Sequence, residues 1–285
     1  MHNPKRDGGH CPHRLFVVGI GPGHPDYLTK RAVEVLTAVD VVVGYSTYIE
    51  LIQPLISGKT IISSGMTREV KRVESAIEQA QNAKSCAIVS SGDPGIYAMA
   101  GLVFETCKLK NIAIASPHTH PAKPKNKSTL LVEVVPGVPA LCAGASLLGA
   151  PLTHDFATIS LSNLLTPWQL IVQRLEAAAK ADFVVVLYNP KSKKRTWQLE
   201  SAQKILLKYR DDLTPVGIVA GAMRANQQVR IVPLVDLHRE QVDMQTTVFV
   251  GSSTSSRYLD FMVTPRGYAK KYGIGGNTSL VINHG

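Results

Sequence analysis

Short apolar runs rich in β-branched residues alternate along this chain with segments of helical period. Residues 15–20 are predicted to form a strand, residues 26–39 a helix capped by Asp26, and residues 40–44 the next strand. The alternation returns with a strand at 85–90 and a helix at 96–108. This order of elements predicts an α/β domain with a mostly parallel sheet and helices on both faces.

The pattern restarts near residues 150–153, where the sequence reads APLT. A second α/β domain with more hairpin-like connections is predicted to follow. The predicted organisation is a disordered tail at 1–13, an N-terminal domain at 14–151 with a flexible insertion at 116–128, a C-terminal domain at 152–268 and a second tail at 269–285.

The composition indicates a globular protein with a basic surface. Of its 285 residues, 45% are hydrophobic and 18% are charged, and the net charge is +10. Such a surface attracts polyanions, namely nucleic acid, anionic lipid or a multiply carboxylated small molecule, although a solvated lysine-rich surface has the same excess. No apolar run approaches the roughly 20 residues that span a bilayer, and the N-terminus has no hydrophobic signal region. A cytoplasmic location without a membrane partner is therefore expected.

The cysteines and histidines give no metal signature. The four cysteines lie far apart without a CxxC pair, so reduced thiols are expected. The predicted tail at 1–13 contains His2, His10, Cys11 and His13, but their spacing matches no standard zinc pattern. No metal site is expected.

The first predicted strand ends in a glycine-rich turn, GIGPG at 19–23. Such a turn is typical of dinucleotide-binding proteins, whose fingerprint is G-x-G-x-x-G. Here His24 replaces the third glycine, Asp40 begins the second strand instead of ending it, and Pro22 lacks the N–H that a phosphate would use. These three departures argue against a dinucleotide site.

Two further glycine-rich turns follow predicted strands, SSGDPGIY at 90–97 and VPGV at 135–138. In the first of them, Asp93 would accept hydrogen bonds from an amine or a hydroxyl, while Gly92 and Gly95 let a ligand lie against backbone. The alternative is an ordinary Asp-Pro-Gly turn in which Asp93 caps the next helix. Three such turns at the carboxyl ends of strands define a crevice where open α/β sheets bind ligands.

These stretches, taken in order, resemble the tetrapyrrole methylases, which use S-adenosylmethionine. More selective stretches resemble the precorrin-3B C-17-methyltransferase branch, which includes the cobalt-factor III enzyme. They are SSGMTRE at 63–69, YAMAGL at 97–102, HDFATISLS at 154–162, LTPW at 165–168, YNPKSK at 188–193 and WQ at 197–198. The resemblance implies a two-domain α/β fold, with a mostly parallel sheet in the N-terminal domain and a mixed sheet in the C-terminal domain. It also implies a cofactor cleft between the domains and a homodimer.

The resemblance further implies which positions contact S-adenosylmethionine or its product, S-adenosylhomocysteine. They are Pro22, Ser91, Gly92, Asp93, Ile96, Pro139, Ala140, Asn189, Ala222 and Thr246. Two positions depart from the family pattern. Pro139-Ala140 stands where relatives carry a pair led by threonine or serine, so a contact there would be apolar or through a carbonyl, and Asn189 stands where methionine is frequent.

The implied reaction transfers a methyl group to C-17 of an octacarboxylate tetrapyrrole and contracts its ring. Contraction needs proton transfer, for which the candidate catalytic residues are His24, Asp93 and Thr247. The candidate substrate contacts are Gly21, Gly23, Arg68, Lys191, Lys193 and Arg195, of which the basic residues would pair with acetate and propionate groups. The basic run at 191–195 is equally compatible with a solvated loop.

Two other functions remain open. An RNA methyltransferase of the same fold would suit the basic charge, although the basic residues are scattered and aromatic residues make up only 6%. A non-catalytic nucleotide-binding protein is the other alternative. The tetrapyrrole enzyme is preferred, with no nucleic-acid partner, and the sequence leaves open whether its substrate is metal-free or carries cobalt.

Overall fold

The computed structural model describes residues 13–82, 85–118 and 129–274. Residues 1–12 of the predicted N-terminal tail, 119–128 of the predicted insertion and 275–285 of the predicted C-terminal tail lie outside these ranges. The chain divides into two compact units, Met1–Ala143 and Gly144–Gly285. The domain boundary after residue 151 stays a prediction.

The first unit alternates strands and helices. Its elements are β1 (Arg14–Gly19), α1 (Lys30–Ala38), β2 (Val41–Tyr45), α2 (Ser46–Leu51), β3 (Thr60–Ser64), α3 (Glu69–Gln81), β4 (Ser85–Ser90), α4 (Met99–Leu109), β5 (Ile114–Ala115), β6 (Leu130–Val135) and α5 (Ala140–Leu148), which continues into the second unit. The six strands form one sheet in the order β3-β2-β4-β1-β6-β5. Every strand pairing between the described residues of this sheet is parallel, which confirms the prediction.

The sheet of the first unit is buried on both faces. Leu15 and Val17 of β1 belong to a core that includes α3 and α4, while Phe16 and Val18 belong to a core that includes α1. Successive side chains of a strand point to opposite faces, so every residue of β1 after the exposed Arg14 is buried and non-polar. Because the strands are parallel, their carboxyl ends lie together at one edge of the sheet, which the helices on the two faces do not cover.

The helix predicted to start at Asp26 starts later. Asp26 lies in a short 3-10 turn, Pro25–Tyr27, and Leu28 after it is extended. The cap of α1 is Thr29, whose Oγ1 accepts the N–H of Ala32 at 3.2 Å. Asp26 and Thr29 are both capping residue types, and the sequence pattern did not distinguish them.

The second unit contains two mixed sheets. Its elements are β7 (Gly149–Ala150), β8 (Phe156–Ser160), α6 (Trp168–Lys180), β9 (Val184–Tyr188), α7 (Gln198–Leu206), β10 (Pro215–Ala220), β11 (Gln228–Pro233), β12 (Thr246–Val250), β13 (Ser256–Tyr258), β14 (Phe261–Val263) and α8 (Tyr268–Tyr272). The larger sheet has the order β11-β10-β12-β9-β8, with β8 and β9 parallel and the other pairs antiparallel. The smaller has the order β13-β14-β7. The predicted mixed sheet is confirmed.

The larger sheet packs its core against α6 and α7. Val248 and Val250 of β12 lie in this core. Alternation along the strand places Thr247 and Phe249 on the opposite face, where a Cβ at Gly144 of α5 would lie 2.7 Å from the Phe249 ring.

No helix in the described ranges combines the length and hydropathy that crossing a membrane requires.

Candidate active site

The glycine-rich turns after β1 and β4 bond to each other at the carboxyl edge of the parallel sheet. The Gly92 N–H donates to the Gly21 carbonyl at 2.8 Å, and the Gly21 N–H donates to the Gly92 carbonyl at 3.2 Å. Both residues have left-handed backbone, with φ of +67° at Gly21 and +66° at Gly92. Glycine adopts this conformation without the strain that a Cβ brings. The bridge fixes the neighbouring Pro22 and Ser91 in place.

The turn after β6 approaches the same point through backbone alone. A Cβ at Gly19 would lie 2.6 Å from the Gly92 carbonyl oxygen and 2.7 Å from the Gly137 nitrogen. A Cβ at Gly92 would lie 3.6 Å from the Cα of Pro139. The predicted cofactor residues of the first unit are therefore brought together by three closely packed backbone segments.

Asp93 joins the second turn to the third. Its Oδ1 accepts the Gly95 N–H at 2.8 Å and its Oδ2 accepts the Gly137 N–H at 3.1 Å. It does not cap α4, because that helix begins at Met99 after the N-cap Ala98, which makes no side-chain cap bond. The alternative interpretation of this stretch, an Asp-Pro-Gly turn in which Asp93 caps the next helix, is therefore right about the turn and wrong about the cap. With both oxygens accepting backbone N–H groups, the carboxylate positions the turns.

The first turn places His24 at the surface. Its Nδ1 accepts the Asp26 N–H at 3.3 Å, and the side chain is 53% exposed. The ring meets the Tyr27 ring edge to face at 6.2 Å between centroids. Nε2 makes no hydrogen bond within the described part of the chain. The imidazole is therefore held at one nitrogen and accessible at the other.

In the second unit, three predicted cofactor residues meet at one edge of the larger sheet. Asn189 follows β9 with a left-handed φ of +51°, and its Nδ2 donates to the Ser160 Oγ at 3.0 Å. Continuing the antiparallel register of β9 and β12 places Thr246 opposite Asn189. The Gly221 N–H donates to the Gln245 carbonyl at 3.1 Å, which brings Ala222 to the same edge.

In each unit the predicted cofactor residues lie in turns at the ends of strands, and comparisons with known proteins show the family. Residues 14–238 match the sequence profile of the Tetrapyrrole (Corrin/Porphyrin) Methylases. The chain belongs to this family. It is accordingly an enzyme that transfers methyl groups, and the methyl donor of the family is S-adenosylmethionine.

Individual relatives point to one branch of the family. The chain is 49% identical over 91% of its length to the cobalt-factor III methyltransferase of Priestia megaterium, of which it spans 46%. It is 44% identical over 89% of its length to the probable cobalt-factor III C(17)-methyltransferase of Salmonella typhimurium, of which it spans 99%. The crystal structure of the methyltransferase CobJ matches 88% of the chain with a TM-score of 0.78 and 32% identity.

Each unit, taken by itself, has polar groups of the kind that would hold the family cofactor. In the first unit these are backbone groups of the turns joined at Gly21 and Gly92, and in the second unit they include the side-chain amide of Asn189. The hydroxyl of Thr246 is already engaged, because Thr246 Oγ1 donates to Asp243 Oδ1 at 2.9 Å. Thr246 therefore offers a ligand its backbone in preference to its side chain.

The predicted substrate residues differ in setting. Arg68 and Lys193 are exposed and Lys191 is half-buried. Arg195 is 93% buried, with 7% of its surface exposed. Burial lowers the pKa of Arg195 below the usual arginine value, because the charged form loses solvation. Arg195 is therefore unlike the rest of the basic run.

Several structural partners were missed from sequence. Gly137 and Ser160 lie inside stretches on which the family resemblance rests. Their positions were therefore noticed in the sequence, but their hydrogen-bond partners could not be predicted from it. Met244, whose sulfur lies 3.4 Å from an Arg195 nitrogen, had no sequence signal.

No group of three or more His, Cys, Asp or Glu side chains suited to a metal ion occurs within the described ranges.

Proposed function

We propose that this chain methylates C-17 of a tetrapyrrole in cobalamin biosynthesis and contracts the ring, giving cobalt-precorrin-4 from cobalt-factor III or precorrin-4 from precorrin-3B. The proposal is carried by the match to the Salmonella typhimurium relative, because that match covers 99% of the relative at 44% identity. The name of the Priestia megaterium relative favours the cobalt-bearing substrate.

The contribution of the chain is to hold the reacting atoms in line. Such positioning contributes roughly 7–11 kcal/mol in well-oriented reactions. The bound cofactor supplies the methyl group from its sulfonium. We assign the holding of the cofactor to Pro22, Ser91, Gly92, Asp93, Ile96, Pro139, Ala140, Asn189, Ala222 and Thr246. The paired turns at Gly21 and Gly92 support this assignment, because their backbone hydrogen bonds hold Pro22 and Ser91 next to each other.

His24 is our choice for the proton transfer that ring contraction needs. Its imidazole is half exposed and has one nitrogen without a partner in the described part of the chain. Asp93 is a positioning residue in this proposal, because both of its oxygens accept backbone N–H groups. Thr247 is 6% exposed, so it is the least accessible of the three candidates.

The substrate carboxylates would be bound by the first turn and by basic side chains. We assign these contacts to Gly21, Gly23, Arg68, Lys191, Lys193 and Arg195. The net charge of +10 suits an octacarboxylate. The proposal includes a homodimer in the cytoplasm, with no nucleic-acid or membrane partner.

The test is turnover with defined substrates. The purified protein is incubated with S-adenosylmethionine and, separately, with cobalt-factor III and precorrin-3B, and product mass and absorption spectrum are recorded. A gain of one methyl group with one substrate supports the proposal and assigns the substrate. Binding of S-adenosylhomocysteine without methylation of either tetrapyrrole contradicts it, and an RNA binding assay at rising salt then tests the RNA alternative.

A His24→Asn variant tests the proton-transfer assignment. Asparagine retains an acceptor for the Asp26 N–H but removes the imidazole. We expect kcat to fall by about 100-fold, with the KM for S-adenosylmethionine unchanged. An unaltered kcat and an unaltered pH profile would contradict the assignment.

A further inference from the structure

The loop between β9 and α7 buries Arg195, whose charge has no counterion among the residues that the structure describes. Arg195 Nη2 donates to the Asn189 carbonyl at 3.5 Å and to the Met244 sulfur at 3.4 Å. Its Nε is buried and has no hydrogen-bond acceptor. Within the described residues, no carboxylate lies within ion-pairing distance of Arg195.

Arg210, in the same unit and equally buried, shows what a structural arginine looks like in this protein. Both arginines are 7% exposed. The Arg210 guanidinium donates to the carbonyls of Ala179 at 2.7 Å, Phe183 at 3.1 Å and Gly251 at 3.2 Å. It also lies 3.1 Å from the Asp182 carboxylate. The fold thus gives Arg210 both hydrogen-bond acceptors and a counterion. It gives Arg195 acceptors for Nη2 only and, among the described residues, no counterion.

The surroundings of Arg195 do not neutralise it. The loop residues before it include Lys191, Lys193 and Lys194, which have the same charge. The acidic side chain beside Met244 is Asp243, but its Oδ1 already accepts from Gln245 N at 2.8 Å and from Thr246 Oγ1 at 2.9 Å. An uncompensated buried cation is unfavourable, so this arrangement calls for an anion from outside the chain.

We propose that Arg195 binds a carboxylate of a ligand at the Asn189 edge of the larger sheet. A planar carboxylate is the partner that the guanidinium fork fits, and it would provide both the missing acceptor and the missing charge. This inference rests on the proposed function, which offers two sources of the group. One is the α-carboxylate of S-adenosylmethionine, and the other is an acetate or propionate group of the tetrapyrrole.

The experiment compares Arg195→Gln with Arg174→Gln, which removes the same charge from an exposed arginine of α6. Titration calorimetry gives the Kd of S-adenosylhomocysteine and of 5′-methylthioadenosine, which has no amino-acid group. Absorbance titration gives the Kd of the tetrapyrrole. We expect Arg195→Gln to weaken one carboxylate-bearing ligand by about ten- to 100-fold and Arg174→Gln to weaken neither.

The pattern of losses identifies the source. If the carboxylate belongs to the cofactor, Arg195→Gln weakens S-adenosylhomocysteine but not 5′-methylthioadenosine. If it belongs to the tetrapyrrole, only the tetrapyrrole is weakened. Unchanged affinity for both ligands overturns the inference. A wild-type protein that binds these ligands but transfers no methyl group contradicts the proposed function and leaves the carboxylate test intact.

The unliganded variants provide a second readout. If Arg195 waits for an anion, the apo Arg195→Gln protein unfolds at the same temperature as wild type or higher, because an unpaired buried charge has been removed. Unfolding at a clearly lower temperature would mean that Arg195 is a structural residue, and would overturn the inference. Arg195→Lys keeps the charge without the fork and is expected to show an intermediate loss of affinity.

Discussion

The site-bearing edges of the two units differ in how their polar groups are satisfied. In the first unit, Gly21 and Gly92 pair through backbone, and both oxygens of Asp93 accept backbone N–H groups. In the second unit, Asn189 is anchored to Ser160, but Arg195 beside it keeps an unpartnered Nε and no counterion in the described structure. The polar groups named at the first edge are satisfied within the protein, whereas the Arg195 Nε at the second edge is not. We therefore expect substitutions at the first edge to lower stability, and removal of the Arg195 charge at the second edge to act on binding and not on stability.

The largest expected effect contrasts the two buried arginines. Arg210→Gln removes the guanidinium donor from the carbonyls of Ala179, Phe183 and Gly251. It also leaves Asp182 without its cation. Because three carbonyls lose a charged donor, at about 1.5–3 kcal/mol for each such bond, we expect a loss of at least about 3 kcal/mol in the free energy of unfolding. Urea denaturation measures it. A loss as small as that of Arg195→Gln would remove the distinction between the two arginines.

Next in size is the effect of a methyl group at the first edge. Gly19→Ala places a Cβ 2.6 Å from the Gly92 carbonyl oxygen, and backbone must move to accept it. We expect a loss of about 1–3 kcal/mol in the free energy of unfolding, together with weaker cofactor binding.

The matched control is Gly101→Ala in α4, where a Cβ would meet nothing within 4 Å. A helical glycine exchanged for alanine in open space should gain about 0.5–1 kcal/mol. Equal effects of the two substitutions in thermal unfolding would show that backbone packing does not hold the first edge together.

A smaller effect is expected from Asp93→Asn. The amide nitrogen cannot accept the hydrogen bond from the Gly137 N–H that Oδ2 accepts at 3.1 Å, while the bond to Gly95 is retained. We expect a loss of about 1–2 kcal/mol in stability and a higher Kd for S-adenosylhomocysteine. If Asp93 instead moves a proton, kcat falls while stability and Kd stay at wild-type values, so the two roles separate experimentally.

The sequence predicted the fold where burial leaves a periodic pattern. Burial on both faces of a parallel sheet explains the continuous apolar runs in β1 and β4, and these runs allowed both strands to be predicted. The short helix α2 was not predicted, because its N-cap, Tyr45, makes no side-chain cap bond and the helix has only six residues. The strands β13 and β14, of three residues each, are likewise too short to show a period.

The candidate site was predictable as a set of turns and not as a set of contacts. The glycine-rich motifs located Gly92 and Asp93, but the partner of Asp93 lies 44 residues away at Gly137. Charge alone placed Arg195 with its lysine neighbours as substrate contacts or as a solvated loop, and it gave no sign that Arg195 is buried. Arg210 was not singled out, because a buried structural arginine has no sequence pattern that separates it from a surface one.

The smallest expected effect concerns the backbone at the second edge. Asn189 has a left-handed φ of +51° and holds Ser160 through its amide. Asn189→Gly and Asn189→Ala both remove the amide, but only alanine keeps a Cβ that disfavours this conformation. We expect the alanine variant to be less stable than the glycine variant by about 1 kcal/mol, measured by urea denaturation. If the edge exists to bind the cofactor, the Kd of S-adenosylhomocysteine should rise in both variants, because both lose the amide. A rise in the alanine variant alone would mean that the backbone conformation matters for binding and the amide does not, which would move the cofactor contact from the Asn189 side chain to its backbone.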